Sequence, residues 1–246
     1  MKKCIIVFML LLGGLSAQGV SYNEEFQVNT YTDSYQVYPE LLSLPDGRFV
    51  VCWESDGQDG SGYGVFGQIF TNDGERIGGT EFQVNTYTVG FQWGQRLLSL
   101  SNDRFVVCWK SFYQDDSENG VYGQIFTSDG ERLGREFQVN TYTDDSQGNP
   151  ELLSLPNGKF VVCWCSNGQD GSGVGVYGQI FTSDGERIGT EFQVNTYTDG
   201  NQGVPELLSL PDGKFVVCWE SRGQDGSGYG VLFMDEFPEF RRDVIE

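Results

Sequence analysis

The side chains able to do chemistry in this 246-residue chain are carboxylates, amides, aromatics and a few thiols, for it contains no histidine. Imidazole triads, imidazole acid–base pairs and histidine metal sites are therefore excluded. Acidic residues number 35 against 15 basic ones, a formal net charge of −20. That balance argues against nucleic acid, whose phosphates need a basic surface, and favours cations or basic partners. The acids recur in glycine-rich segments. Asp56 and Asp59 stand in Asp-Gly-Gln-Asp-Gly-Ser-Gly, Asp115 and Asp116 lie beside Glu118 in its counterpart, and Asp170 and Asp225 occupy two more copies. Carboxylates interleaved with glycines and a hydroxyl offer the hard oxygens that Ca²⁺ collects, about six to eight at a time. These six aspartates are candidate metal ligands, with Ca²⁺ as the expected cofactor. The same segments also read as Asp/Gly turns capped by their own side chains.

A second group is aromatic. Phe91, Trp93, Phe112 and Tyr113 appear in two segments of one stretch of chain, where the other copies carry different residues. In the same stretch a recurring Pro-Glu pair becomes Gln95-Arg96. Aromatic rings beside acids and amides suit sugar stacking or a protein partner, so these four are candidate ligand-binding residues. The other reading is that the two segments pack on each other.

The elements that must position these residues follow from a repeat. Glu-Phe-Gln-Val-Asn-Thr-Tyr-Thr begins at Glu25, Glu81, Glu136 and Glu191, at spacings of 56, 55 and 55 residues. A fixed period of this size indicates a solenoid, propeller or array. Within the first copy, Leu41 to Leu44, Arg48 to Glu54, Val65 to Phe70 and Arg76 to Asn85 read as strands. Pro45-Asp46-Gly47, the Asp56 to Gly64 loop and Asn72-Asp73-Gly74 separate them. Four antiparallel strands in about 55 residues make one blade of a β-propeller. The expected fold is all-β: four blades over residues 20–234, the last completed by the N-terminal strand Glu25 to Thr30, with an open or incomplete array as the other reading. Strand order puts the tight turns at one end of each blade and both acidic loop sets at the other. The recurring Trp53, Trp109, Trp164 and Trp219 are expected to be core, and Gln68, Gln124 and Gln179 to be buried amides.

Residues 1–19 read as an export signal. Met1-Lys2-Lys3 precedes the apolar run Cys4 to Leu15, and small residues follow at Ala17 and Gly19. That run is short of the roughly 17–25 residues that cross a bilayer as a helix, so no membrane span is expected after cleavage. Five cysteines then remain, four of them in Val-Val-Cys-Trp, read as small buried hydrophobes. Cys165 is the expected exposed thiol. Residues 235–246 depart from the repeat and form a divergent tail.

These motifs carry a family resemblance. Glu-Phe-Gln-Val-Asn-Thr, Phe-Val-Val-Cys-Trp-Glu-Ser, Gly-Gln-Asp-Gly-Ser-Gly and Val-Tyr-Gly-Gln-Ile-Phe resemble a repeat of large secreted bacterial surface proteins, many of which also carry hemolysin-type (RTX) calcium nonapeptides. The resemblance implies an extracellular, non-enzymatic module of adhesion or recognition. The Gly-Gly-x-Gly-x-Asp nonapeptides themselves are absent. The expected function is accordingly a secreted, Ca²⁺-stabilised binding module that meets a glycan or protein at the cell surface. The alternative is a propeller-type glycoside hydrolase or lyase using loop carboxylates, with Asp115 and Asp116 as the least repeated pair.

Overall fold

Each copy of the repeat folds into an antiparallel meander, because its apolar runs are bounded by residues that turn the chain. In the first copy Gly74 takes a left-handed φ of 85°, and Thr71 N–H bonds the carbonyl of Glu75 at 2.8 Å to close a hairpin. A computed structural model describes residues 5–6, 25–211 and 214–234. Short strands β1 (Ile5–Ile6) and β2 (Phe26–Gln27) pair with each other. The first repeat sheet comprises β3 (Gln36–Ser43), β4 (Phe49–Asp56), β5 (Tyr63–Phe70) and β6 (Arg76–Gln83) in that order. The second comprises β7 (Gln92–Leu100), β8 (Arg104–Phe112), β9 (Asn119–Thr127) and β10 (Arg132–Gln138). The third comprises β11 (Gln147–Ser154), β12 (Phe160–Asn167), β13 (Val174–Phe181) and β14 (Arg187–Gln193). The last comprises β15 (Gln202–Ser209), β16 (Phe215–Arg222) and β17 (Tyr229–Met234). The architecture is all-β and propeller-like. No helix among the described residues is long and apolar enough to cross a membrane.

The two middle strands of a sheet are apolar on both faces because each sheet is sandwiched between neighbours. Between the first and second sheets, Val50, Cys52, Val65 and Ile69 meet Phe105, Val107, Trp109, Tyr122 and Phe126. The same contact recurs between the second and third sheets and between the third and last. All four repeated tryptophans are buried, as expected: Trp109, Trp164 and Trp219 in these cores and Trp53 in a cluster with Val28, Val51, Phe66 and Phe70. The repeated amides are buried as well: Gln68 donates from Nε2 to the carbonyls of Ile69 at 2.9 Å and Ile77 at 2.8 Å, holding a bulge between β5 and β6. Polar staples tie neighbouring sheets. The Arg132 guanidinium donates to the carbonyls of Gln83, Val84 and Asn85, and Arg187 repeats this on Gln138, Val139 and Asn140.

Where the N-terminal strand pairs differs from expectation. β2 pairs with β1, and the last sheet has three strands among the described residues. The physical reason lies at one position. In the first sheet the Phe82 ring crosses Gly67 so closely that a Cβ there would stand 2.8 Å from Phe82 Cζ. Gly123 and Gly178 admit Phe137 and Phe192 in the same way. In the last sheet this position is Phe233, whose own ring leaves no room for an incoming phenylalanine in that register. Phe26 instead packs on Phe70 of the first sheet, ring centroids 5.6 Å apart. Val231, the counterpart of the buried Val65, is 77% exposed. β17 ends at Met234, so the tail from 235 to 246 lies outside the described residues, as does the leader apart from residues 5–6.

Candidate active site

The first strand of each sheet lies along its neighbours, β3 by β7, β7 by β11 and β11 by β15, so these strands line a common axis. Each carries a bulge at the same place. The pairing with the second strand shifts between Val37 and Glu40, Trp93 and Arg96, Gly148 and Glu151, and Gly203 and Glu206. Inside each shift one residue takes a left-handed backbone: Tyr38 (φ 51°), Gly94 (67°), Asn149 (54°) and Val204 (53°). For a β-branched valine that conformation stores about 1–3 kcal/mol of strain. Bulges re-aim side chains, and here they turn Glu40, Arg96, Glu151 and Glu206 towards one another. Pro39, Pro150 and Pro205 suit such a site because a bulge leaves a ladder donor unneeded.

Arg96 is the hub. Its Nε donates to Glu151 Oε1 at 2.7 Å and its Nη1 to Glu40 Oε1 at 3.2 Å, so one guanidinium joins the first and third sheets. Burial works against its charge, but Glu151, Glu40 and Glu206 together outweigh that and hold its pKa above the ordinary value. Glu151 is displaced upward. Burial penalises its carboxylate more than the Arg96 hydrogen bond rewards it, and the negative charges of Glu206 and Glu40 push the same way. A half-buried carboxyl whose pKa is raised, next to a second carboxyl, is an arrangement that general acid–base chemistry uses.

Across the bulges lies a second belt, Glu54, Lys110, Cys165 and Glu220, paired with Val37, Trp93, Gly148 and Gly203. Glu54 is buried and accepts the Gly94 N–H at 2.9 Å; burial raises its pKa against the pull of that bond and of Lys110. Lys110 places its ammonium 4.9 Å from the centre of the Trp93 ring. Burial lowers its pKa, opposed by the charges of Glu54 and Cys165. Cys165 is half-buried rather than exposed, and burial keeps it a thiol although the Val204 N–H and the Asn149 amide favour the thiolate. Beside this belt opens a cleft of about 460 Å³, lined by Lys110, Glu118, Asp145, Asn149, Cys165 and Glu220 among others.

The aromatic residues singled out by sequence are brought together. Phe91 and Trp93 meet edge to face at 5.6 Å, Trp93 and Phe112 stand 6.5 Å apart, and Phe112 and Tyr113 meet at 4.2 Å. Phe91 and Tyr113 are 43% and 54% exposed, so the cluster is both packed on itself and open to solvent.

The six aspartates, by contrast, are spread over four separate loops. Asp59, Asp115, Asp170 and Asp225 each accept the N–H of the serine two residues on, at 3.0–3.4 Å. Asp59 and Asp115 also accept the amides of Gln83 and Gln138. Asp56 accepts the Ser34 hydroxyl, and Asp116 sits in a turn with φ 65°. Among the described residues no three Asp, Glu or Cys side chains group as metal ligands. The recurring Gln58, Gln114 and Gln169 donate to Glu81, Glu136 and Glu191, whose other oxygens cap the backbone of the preceding sheet's loop. Sequence reasoning missed Glu40, Arg96, Lys110 and Glu151. The signal was present in the second copy, where Glu becomes Arg96 in one strand and Lys110 in the next.

No family model matches the chain, and no curated protein matches it. Solved structures do. An endo-arabinase from Bacteroides thetaiotaomicron aligns with a TM-score of 0.52 and 11% identity, over 89% of this chain and 83% of that one. The GH93 α-L-arabinofuranosidase of Fusarium graminearum, in complex with arabinobiose, aligns at 0.58 and 17% identity, over 85% of this chain and 65% of its own. An α-L-arabinanase of Penicillium chrysogenum, also with arabinobiose, gives 0.58, 18%, 85% and 65%. The chain thus spans about two thirds of the latter two enzymes. At such identities the likeness establishes a shared fold. It nevertheless corrects the expectation of a non-enzymatic adhesion module: these matches are glycan-cleaving enzymes, and the first strands, which the loop-centred reading passed over, carry a bridged acid pair.

Proposed function

We propose that the protein is an exported glycoside hydrolase, built as four blades around the axis that Arg96 occupies, with Glu151 as its acid and Glu40 as the opposing carboxylate. The observation that carries this reading is the single guanidinium bonded to both carboxylates. Glycosidases place two carboxyl groups about 5–10 Å apart across the scissile bond, and here one guanidinium gathers two carboxyl groups at the axis. Glu151, its pKa raised, passes its proton to the glycosidic oxygen as the bond from that oxygen to the sugar carbon breaks. Glu40 takes a proton from the water whose oxygen bonds that carbon. Arg96 bonds both groups and orients them. The Phe91, Trp93, Phe112 and Tyr113 cluster supplies a stacking platform beside the axis. An extracellular setting is supported by the N-terminal leader and by the likeness of the repeat to secreted surface proteins.

The test is release of reducing ends from arabinan, xylan and mannan by the purified protein. Glu151→Gln should lower kcat by about 10²–10⁴-fold, the usual contribution of a positioned acid, with the fold intact by circular dichroism. Inactivity on all three polymers, or full activity in the variant, sinks the reading.

A further inference from the structure

We propose that Lys110, stacked on Trp93, determines specificity in a sugar subsite beside the axis, and that this subsite takes an uncharged sugar unit. The inference deepens the hydrolase reading and rests on it for the chemistry, though not for the binding. Lys110 occupies a position held by Glu54, Cys165 and Glu220 in the other copies, so its cation is specific to the second sheet. Two neighbouring first strands make way for it. A Cβ at Gly148 would stand 3.2 Å from Lys110 Cδ, and one at Gly94 would stand 3.6 Å from its Cε. The stem therefore threads between the second and third sheets and delivers the ammonium to the cleft, over the Trp93 ring.

Among the described residues Lys110 makes no ion pair, unlike Arg48, Arg96 and Arg104. A half-buried ammonium whose three donors have no carboxylate within bonding distance is set to donate to something that enters the cleft. What enters is decided by the rest of the lining. Glu118, Asp145 and Glu220 offer acceptors, and Asn149 offers an amide. Sugar hydroxyls both donate and accept, so one cation among three acids satisfies a neutral sugar. A uronate would add a fourth negative charge to this cleft and be repelled. Trp93 lies behind the ammonium and holds it in place by cation–π contact at 4.9 Å, and Tyr229 is the aromatic side chain in the cleft lining itself.

The test is a fluorescence titration, reading the tryptophan emission that includes Trp93, with xylotriose, mannotriose, cellotriose and trigalacturonate, each repeated by calorimetry. At least one neutral trisaccharide should bind, and trigalacturonate at least about tenfold more weakly, a gap of about 1.4 kcal/mol. Lys110→Met keeps the stem and removes the charge; it should weaken the neutral sugar about tenfold while the melting temperature stays unchanged. Lys110→Arg should restore part of the affinity. Binding of the neutral sugar to Lys110→Met as tight as to the wild type overturns the proposal. So does tighter binding of trigalacturonate, or the absence of binding by every neutral sugar. Binding without cleavage by the wild type would end the hydrolase reading and leave the subsite standing. Cleavage with KM unchanged in Lys110→Met would end the subsite alone.

Discussion

At position 96 the repeat exchanges a carboxylate for a guanidinium, and the chemistry of the axis follows from that exchange. With glutamate in every copy, four like charges would meet where the first strands converge, and each would resist ionisation. Arg96 brings a relieving positive charge to Glu151 at 2.7 Å, and the same guanidinium bonds Glu40 at 3.2 Å. The relief is incomplete at Glu151, which burial and its acidic neighbours still hold above an ordinary glutamate. A general acid works in its protonated form, so activity should fall as pH rises through the Glu151 pKa. Arg96→Gln removes an influence that lowers this pKa and leaves those that raise it. The alkaline limb of kcat/KM against pH should then move upward. A limb that stays in place, or moves down, would mean that Glu151 is not the group being titrated.

The element that shapes the site is the bulged first strand, and the element first suspected is the acidic loop. The two differ in what their side chains are already doing. In the loops, Asp59, Asp115, Asp170 and Asp225 cap their own backbone turns, and two of them hold an amide as well. Such groups recur because every blade needs the same turn. A Ca²⁺ ion held at about 100 times its Kd would add about 2.7 kcal/mol of stability, or about 5–10 °C in a chain of this size. With these carboxylates engaged one per loop, calorimetry in Ca²⁺ and in EDTA should give the same melting temperature. A rise of several degrees in Ca²⁺ would return the loops to the status of metal sites. In the first strands the repeated left-handed residues serve no capping role, and Val204 holds one against its intrinsic preference. A left-handed residue at the same bulge of all four first strands is what turns Glu40, Arg96, Glu151 and Glu206 onto the axis.

Across the whole molecule the sheets are bound by large aromatic cores between neighbours, reinforced at the axis by Arg96 of the second sheet, which bonds a carboxyl of each sheet beside it. Trp109 is fully buried where the first and second sheets meet. Trp109→Ala should cost about 3–5 kcal/mol, the usual loss for truncating a buried ring. Since three sheets meet at Arg96, calorimetry of this variant should still show one transition at a lower temperature. Two separated transitions would show instead that the sheets unfold as a nearest-neighbour array.

Much of this architecture was legible in the chain alone. The 55-residue period, the Asn-Asp-Gly and Pro-Asp-Gly turns and the doubly apolar runs are local signals, and local sterics and burial turn them into strands and hairpins without outside help. The tryptophan core, the buried Gln68 and the grouping of Phe91, Trp93, Phe112 and Tyr113 also followed, because strand order alone puts equivalent positions on equivalent faces. The pairing of the N-terminal strand did not follow, since Phe233 puts a Cβ where the other sheets keep a glycine, and the need for that glycine is visible only once the Phe82 ring is seen over Gly67. Nor did the site. Glu40, Arg96 and Glu151 lie 56 and 55 residues apart, and their meeting is set by the convergence of three sheets and by bulges that no short-range pattern announces. Sequence by itself thus determined the repeating unit, whose forces act over a few residues. Tertiary structure alone decided which of many acids share one guanidinium, because electrostatic coupling depends on distance through space and not on separation along the chain.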